Sequence, residues 1–228
     1  MDDAMAKAST TAGARNSKRV NPTQLRAARI LKGNAKFDDK FFPNHDELSE
    51  VIGQLRSMGC VIAFTTGVWD LFHIGHAKYI RAGKEAARQL YPDAEHVIMV
   101  VGVDTDALTK QRKGPKRPIV PEAERYEILC ELGTVDILVP QYEANQLYTL
   151  IDHDVRVISE STKDLPSDHD TIRAQCEHLV NLPPQAETST TARIRILAID
   201  GGIETLEKVS TKLLQAIEEA RNELNGKQ

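Results

Sequence analysis

Between Val61 and Val103 the hydrophobic pattern changes period twice, and that change restricts the chain to few architectures. Val61–Thr65 is a short apolar run with strand character. Gly75–Tyr91 then carries Tyr79, Ile80, Gly83, Ala86, Ala87 and Leu90 along one helical stripe. His96–Val103 (HVIMVVGV) is apolar throughout, as a strand covered on both faces should be. Strand, helix and strand in this order form a βαβ unit, whose crossover is right-handed.

The alternation continues along the chain. Pro121 suits the first turn of a helix in PEAERYEILCEL. Val135–Val139 reads as a third strand, Asn145–Ile151 as a short helix and Val155–Ser159 as a fourth strand. Asp168–Cys176 reads as helix and His178–Leu182 as a fifth strand. The predicted fold class is α/β, a doubly wound, mostly parallel five-stranded sheet with helices on both faces. Such sheets bind ligands at the carboxyl ends of their strands, so the residues after Thr65 are the first place to look for chemistry.

Upstream, residues 1–20 are poor in apolar side chains and read as a tail. PTQLRAARIL (Pro22–Leu31) can form a short helix, and GNAKFDDKFFPN returns to loop. Asp46–Met58 sets Leu48, Val51, Ile52 and Leu55 at helical spacing and stops at Gly59. The division expected is a flexible extension with a short helix over 1–42, one main domain over 43–200, and a C-terminal amphipathic helix over 201–228. That last helix places Ile203, Leu206, Val209, Leu213, Ile217, Ala220 and Leu224 three or four apart. It can pack on its own domain or form a homodimer contact.

Composition narrows the function classes. A net charge of −4 argues against a nucleic-acid coat or a membrane-surface protein. No apolar run approaches the roughly 20 residues that span a bilayer. The first twenty residues lack the apolar segment of a secretory signal, and Asp2 and Asp3 count against a transit peptide. Cys60, Cys130 and Cys176 are odd in number and without C-x-x-C spacing, as free thiols in a reducing cytoplasm would be.

Three segments carry candidate chemistry. TTGVWDLFHIGH (Thr65–His76) places His73, Gly75 and His76 where the first strand meets its helix. A helix N-terminus offers unpaired N–H groups and a positive dipole end to phosphate. Gly75 would let the backbone approach a ligand, and the two imidazoles can add donors against developing negative charge. Histidines at this spacing can also be ordinary capping side chains, and no third ligand at convincing spacing supports a zinc site. KQRKGPKRPIVPEAER (Lys110–Arg125) holds Lys110, Arg112, Lys113, Lys116 and Arg117. It reads as a mobile basic loop able to neutralise a triphosphate, or as a solvated charge run. ETSTTAR (Glu187–Arg193) follows the fifth strand, and Ser189, Thr190 and Thr191 could cap a helix and bind phosphate.

These segments together resemble the cytidylyltransferase-like nucleotidyltransferase superfamily, in which H-x-G-H follows the first strand of a Rossmann-like domain. FTTGVWDLFHIGHAKYI and KGPKRPIVPEAER look most like the adenylyltransferase domain of bacterial heptose-phosphate enzymes, with glycerol-phosphate and ethanolamine-phosphate cytidylyltransferases close behind. The resemblance covers about Pro43 to Ile196. It implies transfer of AMP or CMP from a nucleoside triphosphate, ATP preferred, to a small phosphorylated acceptor such as a sugar or polyol phosphate. Pyrophosphate leaves and Mg²⁺ assists. It assigns catalysis to His73, His76, Lys110 and Lys113. Nucleotide contacts would come from Thr65, Thr66, Gly67, Val68, Trp69, His73, Gly75, His76, Lys113, Arg125, Ser189, Thr190 and Thr191.

The sequence departs from its relatives in two places. ISESTKDLPSD stands where they carry a Gly/Asp-rich turn after the fourth strand. Pro183, Pro184 and Gln185 replace the stretch that holds an arginine in the glycerol-phosphate enzymes, which favours the sugar-phosphate branch. The alternatives are a mononucleotide acceptor, such as nicotinamide mononucleotide or FMN, and a nucleotide-binding regulatory protein without turnover.

Overall fold

The computed structural model describes residues 21–160, 174–186, 202 and 207–215. Its centre is a five-stranded sheet of order β3-β2-β1-β4-β5, every pair parallel. The strands are β1 (Val61–Gly67), β2 (Val97–Asp104), β3 (Ile137–Gln141), β4 (Val155–Ser159) and β5 (His178–Leu182). The helices are α1 (Pro22–Leu31), α2 (Phe37–Lys40), α3 (His45–Ser57), α4 (Ile74–Leu90), α5 (Asp106–Lys113), α6 (Glu122–Cys130) and α7 (Gln146–Leu150).

The order puts β1 in the middle. The chain runs outward from β1 through β2 to β3, then crosses back to lay β4 on the other side of β1. The reversal opens a crevice between the carboxyl ends of β1 and β4, where doubly wound sheets take their ligands.

Side chains alternate between two apolar layers, as strand geometry requires. Ile62 and Phe64 of β1 join Ile98 and Val100 of β2 and face Leu48, Val51, Ile52 and Leu55 of α3 with Leu147 of α7. Val61 and Ala63 join Met99 and Val101 and face Ile80 and Ala87 of α4 with Tyr126 and Leu129 of α6. Helix α4 comes close to the sheet because Gly83 has no side chain: a Cβ there would lie 2.9 Å from Cγ1 of Val157.

Several boundaries differ from those the sequence predicts. β1 continues to Gly67, because Thr66 and Gly67 pair with Gly102 and Val103. β3 starts two residues later than expected. The Asp136 carboxylate takes the Met99 N–H at 2.7 Å and the Lys84 ammonium at 2.5 Å, so the ladder begins beyond it. The segment read as loop after Leu31 contains α2, with the Asp39 carboxylate accepting from the Lys36 N–H and from Arg29. Phe41 then bridges to Leu138, and the Phe42 N–H donates to the Leu138 carbonyl at 2.9 Å. This covers the edge that β3 would otherwise leave unpaired. The core also reaches back before position 43, since Ala27, Ile30 and Phe42 are buried in the α3 layer.

The basic stretch after β2 is not a loop throughout. Lys110, Arg112 and Lys113 lie on α5, capped by the Thr105 hydroxyl, and the loop begins at Gly114 with φ 94°. Of the predicted helix Asp168–Cys176, residues 168–173 lie outside the described residues and 174–176 are not helical. Glu187–Arg193 also lies outside them. In the C-terminal segment residues 207–215 are helical and exposed, including Val209, Leu213 and Leu214. Among the described residues no helix is long and apolar enough to cross a membrane.

Candidate nucleotide site at the carboxyl end of the first strand

The turn that leaves β1 contains two residues in left-handed backbone, Trp69 at φ 57° and Leu71 at φ 46°. For non-glycine residues this conformation costs about 1–2 kcal/mol each. Specific contacts hold it. The Trp69 indole N–H donates to the Gly102 carbonyl at 2.9 Å, and its ring is buried. A Cβ on Gly67 would sit 3.0 Å from that ring, so the fit leaves little room there.

Asp70 fixes the far side of the turn. Its buried carboxylate accepts from the Ile119 N–H at 3.0 Å and the Val120 N–H at 2.9 Å, and pairs with the Arg117 Nε at 2.9 Å. Burial by itself would raise its pKa. The two backbone donors and the Arg117 guanidinium outweigh that and hold the carboxyl below its ordinary value. The loop after α5 is thereby tied to the turn after β1.

His73 begins α4. Its extended backbone (φ −142°) makes it the N-cap, and its Nδ1 accepts from the Gly75 N–H at 3.1 Å. With Nδ1 an acceptor, the neutral ring carries its proton on Nε2. His76 stacks on it, ring centroids 4.0 Å apart and 28° between planes. Phe72 and Trp69 pack against His76 at centroid distances of 5.3 and 5.6 Å. Gly75 is fully enclosed: a Cβ there would meet His73 Cε1 at 2.7 Å and Ala186 Cβ at 2.8 Å. The chain leaving β5 therefore arrives against the first turn of α4. Ser189, Thr190 and Thr191 follow Ala186 closely in sequence but lie outside the described residues.

The remaining sequence candidates divide into two groups. Thr66, half-buried, stands at the carboxyl end of β1, while Thr65 is buried and shares a hydrogen bond with the Tyr79 hydroxyl at 3.1 Å. Burial raises the Tyr79 phenol to about 12, so it stays protonated. The Val68 carbonyl accepts from Arg125. Lys110 and Lys113 are exposed at the end of α5 and, among the described residues, are not in ion pairs. Arg112 and Arg117 of the same stretch are committed to Asp104 and Asp70.

Arg125, read from the sequence as a supporting ion for phosphate, is 1 % exposed. It donates to the carbonyls of Val68, Asp104 and Val120 and to the Asp106 carboxylate. Each of its guanidinium nitrogens is engaged within the protein, so it positions the site and does not face a ligand. Three further residues escaped the sequence reading. Asp70 sat inside the quoted segment as the one acid in an otherwise polar-neutral and apolar turn, and that was its only signal. Asp104 is buried at the end of β2, where Arg112 and Gln141 reach it at 2.6 and 2.8 Å. Its desolvation outweighs both contacts and raises its pKa. Arg156, on β4, looked like one polar position in a strand.

Residues 64–195, more than half of the chain, match the family model described as cytidylyltransferase-like. The chain belongs to the cytidylyltransferase-like family. It is 30% identical over 183 residues to the bifunctional protein HldE of Rhodopseudomonas palustris strain CGA009, covering 77% of this chain and 35% of that one. It is 40% identical over 105 residues to the HldE of Citrifermentans bemidjiense, covering 46% and 20%. The chain thus spans about a fifth to a third of the length of these curated relatives. A lipopolysaccharide core biosynthesis protein from Thermoplasma volcanium shares 21% identity at a TM-score of 0.44, over 54% of this chain and 97% of that one. The family assignment makes this a nucleotidyltransferase domain, with the stacked histidines at its first strand–helix junction.

A metal fits the described side chains poorly. No group of three or more His, Cys, Asp or Glu among the described residues could hold one. Asp70, Asp104 and Asp106 already receive arginine or backbone donors. Side chains so engaged do not form the open oxygen set that Mg²⁺ prefers.

The Asp70 clamp gives a prediction with a definite sign. A carboxyl held below its unfolded pKa contributes stability above that pKa and loses it as pH falls through the folded value. Asp70→Asn should therefore lower stability at pH 7 by about 3 kcal/mol, the scale of breaking a buried ion pair. The gap to wild type should close as pH falls below 4. Urea denaturation at both pH values measures this, and a constant gap would mean that the charge of Asp70 does not hold the loop.

Proposed function

We propose that this domain transfers a nucleotidyl group from a nucleoside triphosphate, ATP in preference to CTP, to a small phosphorylated acceptor of the sugar- or polyol-phosphate class. The observation that carries the reading is the stacked His73–His76 pair on the first turn of α4, beside a glycine that tolerates no Cβ. The positive end of the helix dipole and two imidazoles converge at that point, with the Gly75 N–H held by His73 Nδ1. Such an arrangement suits a phosphate chain on which charge increases during reaction.

In this reading an oxygen of the acceptor phosphate attacks the α-phosphorus in line. The bond from the α-phosphorus to the bridging oxygen breaks, and pyrophosphate leaves with that electron pair. No protein nucleophile is required; positioning and charge neutralisation carry the step. His73 donates through Nε2, and His76, held against Trp69 and Phe72, offers the second imidazole. Lys110 and Lys113 extend from α5 to neutralise the β- and γ-phosphates. By the family resemblance, Ser189, Thr190 and Thr191 would add hydroxyl contacts to the phosphates. Mg²⁺ would come bound to the triphosphate oxygens and add charge neutralisation there.

Base choice depends on pocket walls that phosphate-binding residues do not form. The ATP preference rests on the likeness to HldE and to the adenylyltransferase sequence pattern. Pyrophosphate release, measured over four nucleoside triphosphates and a panel of phosphorylated sugars, polyols and mononucleotides, tests the reading. We expect turnover with a sugar or polyol phosphate and a kcat/KM ratio clearly favouring ATP. Turnover only with a mononucleotide moves the acceptor class. No turnover with any pair, alongside tight nucleotide binding, leaves a regulatory protein.

His76→Ala should fold normally and lose about 10²–10³ in kcat, the usual cost of one preorganised transition-state donor. Near wild-type turnover would remove His76 from the mechanism. Lys113→Ala should weaken triphosphate binding and flatten its salt dependence, since one screened phosphate contact is gone. Nucleotide titration at low and high ionic strength reads both effects. Unchanged affinity and slope would make the α5 lysines a solvated surface.

A further inference from the structure

Arg156 is 2 % exposed, and among the described residues two of its three guanidinium nitrogens have no hydrogen-bond partner. It lies in β4 in register with Phe64 of β1, at the pair of strands where the sheet order reverses. Its guanidinium carbon stands 4.3 Å from the Phe64 ring centroid and 3.9 Å from that of Tyr148, which comes from the crossover helix α7. Ring faces attract a cation but give its N–H groups no strong acceptor. Its hydrogen bond to the Thr66 side chain is long, from Nη2 to Oγ1 at 3.4 Å, and its other side-chain polar contact is with the Tyr148 phenol. Nε and Nη1 are buried and have no hydrogen-bond partner among the described residues.

The comparison with Arg125 is direct. That guanidinium is equally buried, and it meets three carbonyls and a carboxylate. Among the described residues no carboxylate forms an ion pair with Arg156, and the ring of Tyr148 lies over its guanidinium. A buried cation without a counter-ion is costly, and an apolar side chain would fill a strand position without that penalty. The rings flank the guanidinium and its edge points toward Thr66, which is half-buried at the carboxyl end of β1. A guanidinium presenting its edge is the geometry that takes a phosphate through two parallel N–H bonds.

We propose that Arg156 is the anion anchor of the acceptor subsite, holding the phosphate of the phosphorylated acceptor through the Nη1–Nη2 end of its guanidinium beside the Thr66 hydroxyl. This rests on the nucleotidyl-transfer reading for the identity of the ligand, but the anion site itself does not. It places the acceptor in the crevice between β1 and β4, adjoining the turn that carries His73 and His76.

The test is equilibrium titration with inorganic phosphate, with a non-transferable ATP analogue filling the triphosphate site. Wild type is compared with Arg156→Leu and Arg156→Lys. Arg156→Leu should weaken phosphate binding by about tenfold or more, while affinity for the ATP analogue stays within about twofold. Its Tm without phosphate should be unchanged or raised, because an unpaired buried charge is gone. Arg156→Lys, which keeps the charge and loses the fork, should bind phosphate with intermediate affinity. Glucose 1-phosphate should compete with inorganic phosphate in wild type. Equal phosphate affinity in all three proteins overturns the proposal, as does a sugar phosphate that fails to compete. A sharp fall in Tm for Arg156→Leu with phosphate affinity intact would show an internal structural role and overturns it too. If the ATP analogue binds none of the proteins while phosphate affinity still follows Arg156, the transfer reading fails and the anion site stands.

Discussion

One buried guanidinium ties together the segments that form the site. Arg125 reaches from α6 to the carbonyl of Val68 after β1, that of Asp104 at the end of β2, and that of Val120 in the loop before α6. The first two carbonyls lie at or just beyond the ends of β1 and β2, and the third lies in a loop. Buried carbonyls left unpaired each cost about 1–3 kcal/mol. A single planar side chain with its charge balanced by Asp106 removes that cost at three places. Only a side chain with several donors in a fixed fork can do this, so lysine would not substitute.

On that support the turn after β1 holds backbone that it would not adopt alone. Trp69 and Leu71 are both left-handed, and the Trp69–Gly102 and Asp70–Val120 hydrogen bonds retain them. The consequence is directional. The chain turns sharply enough for His73 to cap α4 and for His76 to stack on it one turn later. Strain of this kind, fixed by surrounding packing, is how a site is set before its ligand arrives.

The cations around the site divide by chemistry. Arg112, Arg117 and Arg125 pair with Asp104, Asp70 and Asp106, where a rigid fork meets carboxylates. Lys110, Lys113 and Lys116 are exposed, and an ammonium on a long stem suits a mobile polyphosphate. Arg156 belongs to neither group. It is buried like Arg125 and, among the described residues, lacks the carboxylate that the other arginines have.

The sequence by itself determined the fold class and the location of the chemistry. Periodicity is a local property: the apolar run at Val97–Val103 and the stripe on Gly75–Leu90 are written in neighbouring residues, and the short β-branched segments of β4 and β5 were legible to the residue. The H-x-G-H spacing was legible for the same reason, since capping and stacking need only neighbours in the chain. What the sequence could not decide was the partner of each charged side chain. Lys113 and Arg125 stand in one basic stretch, yet one faces solvent and the other is sealed behind the site. Asp70 and Val120 are far apart in sequence and meet only because β2 and α5 intervene and fold back. Arg156 reads as an ordinary polar strand residue until β1 and α7 close rings around it. Burial and pairing of charge depend on contacts between distant segments. Tertiary structure alone supplies those contacts.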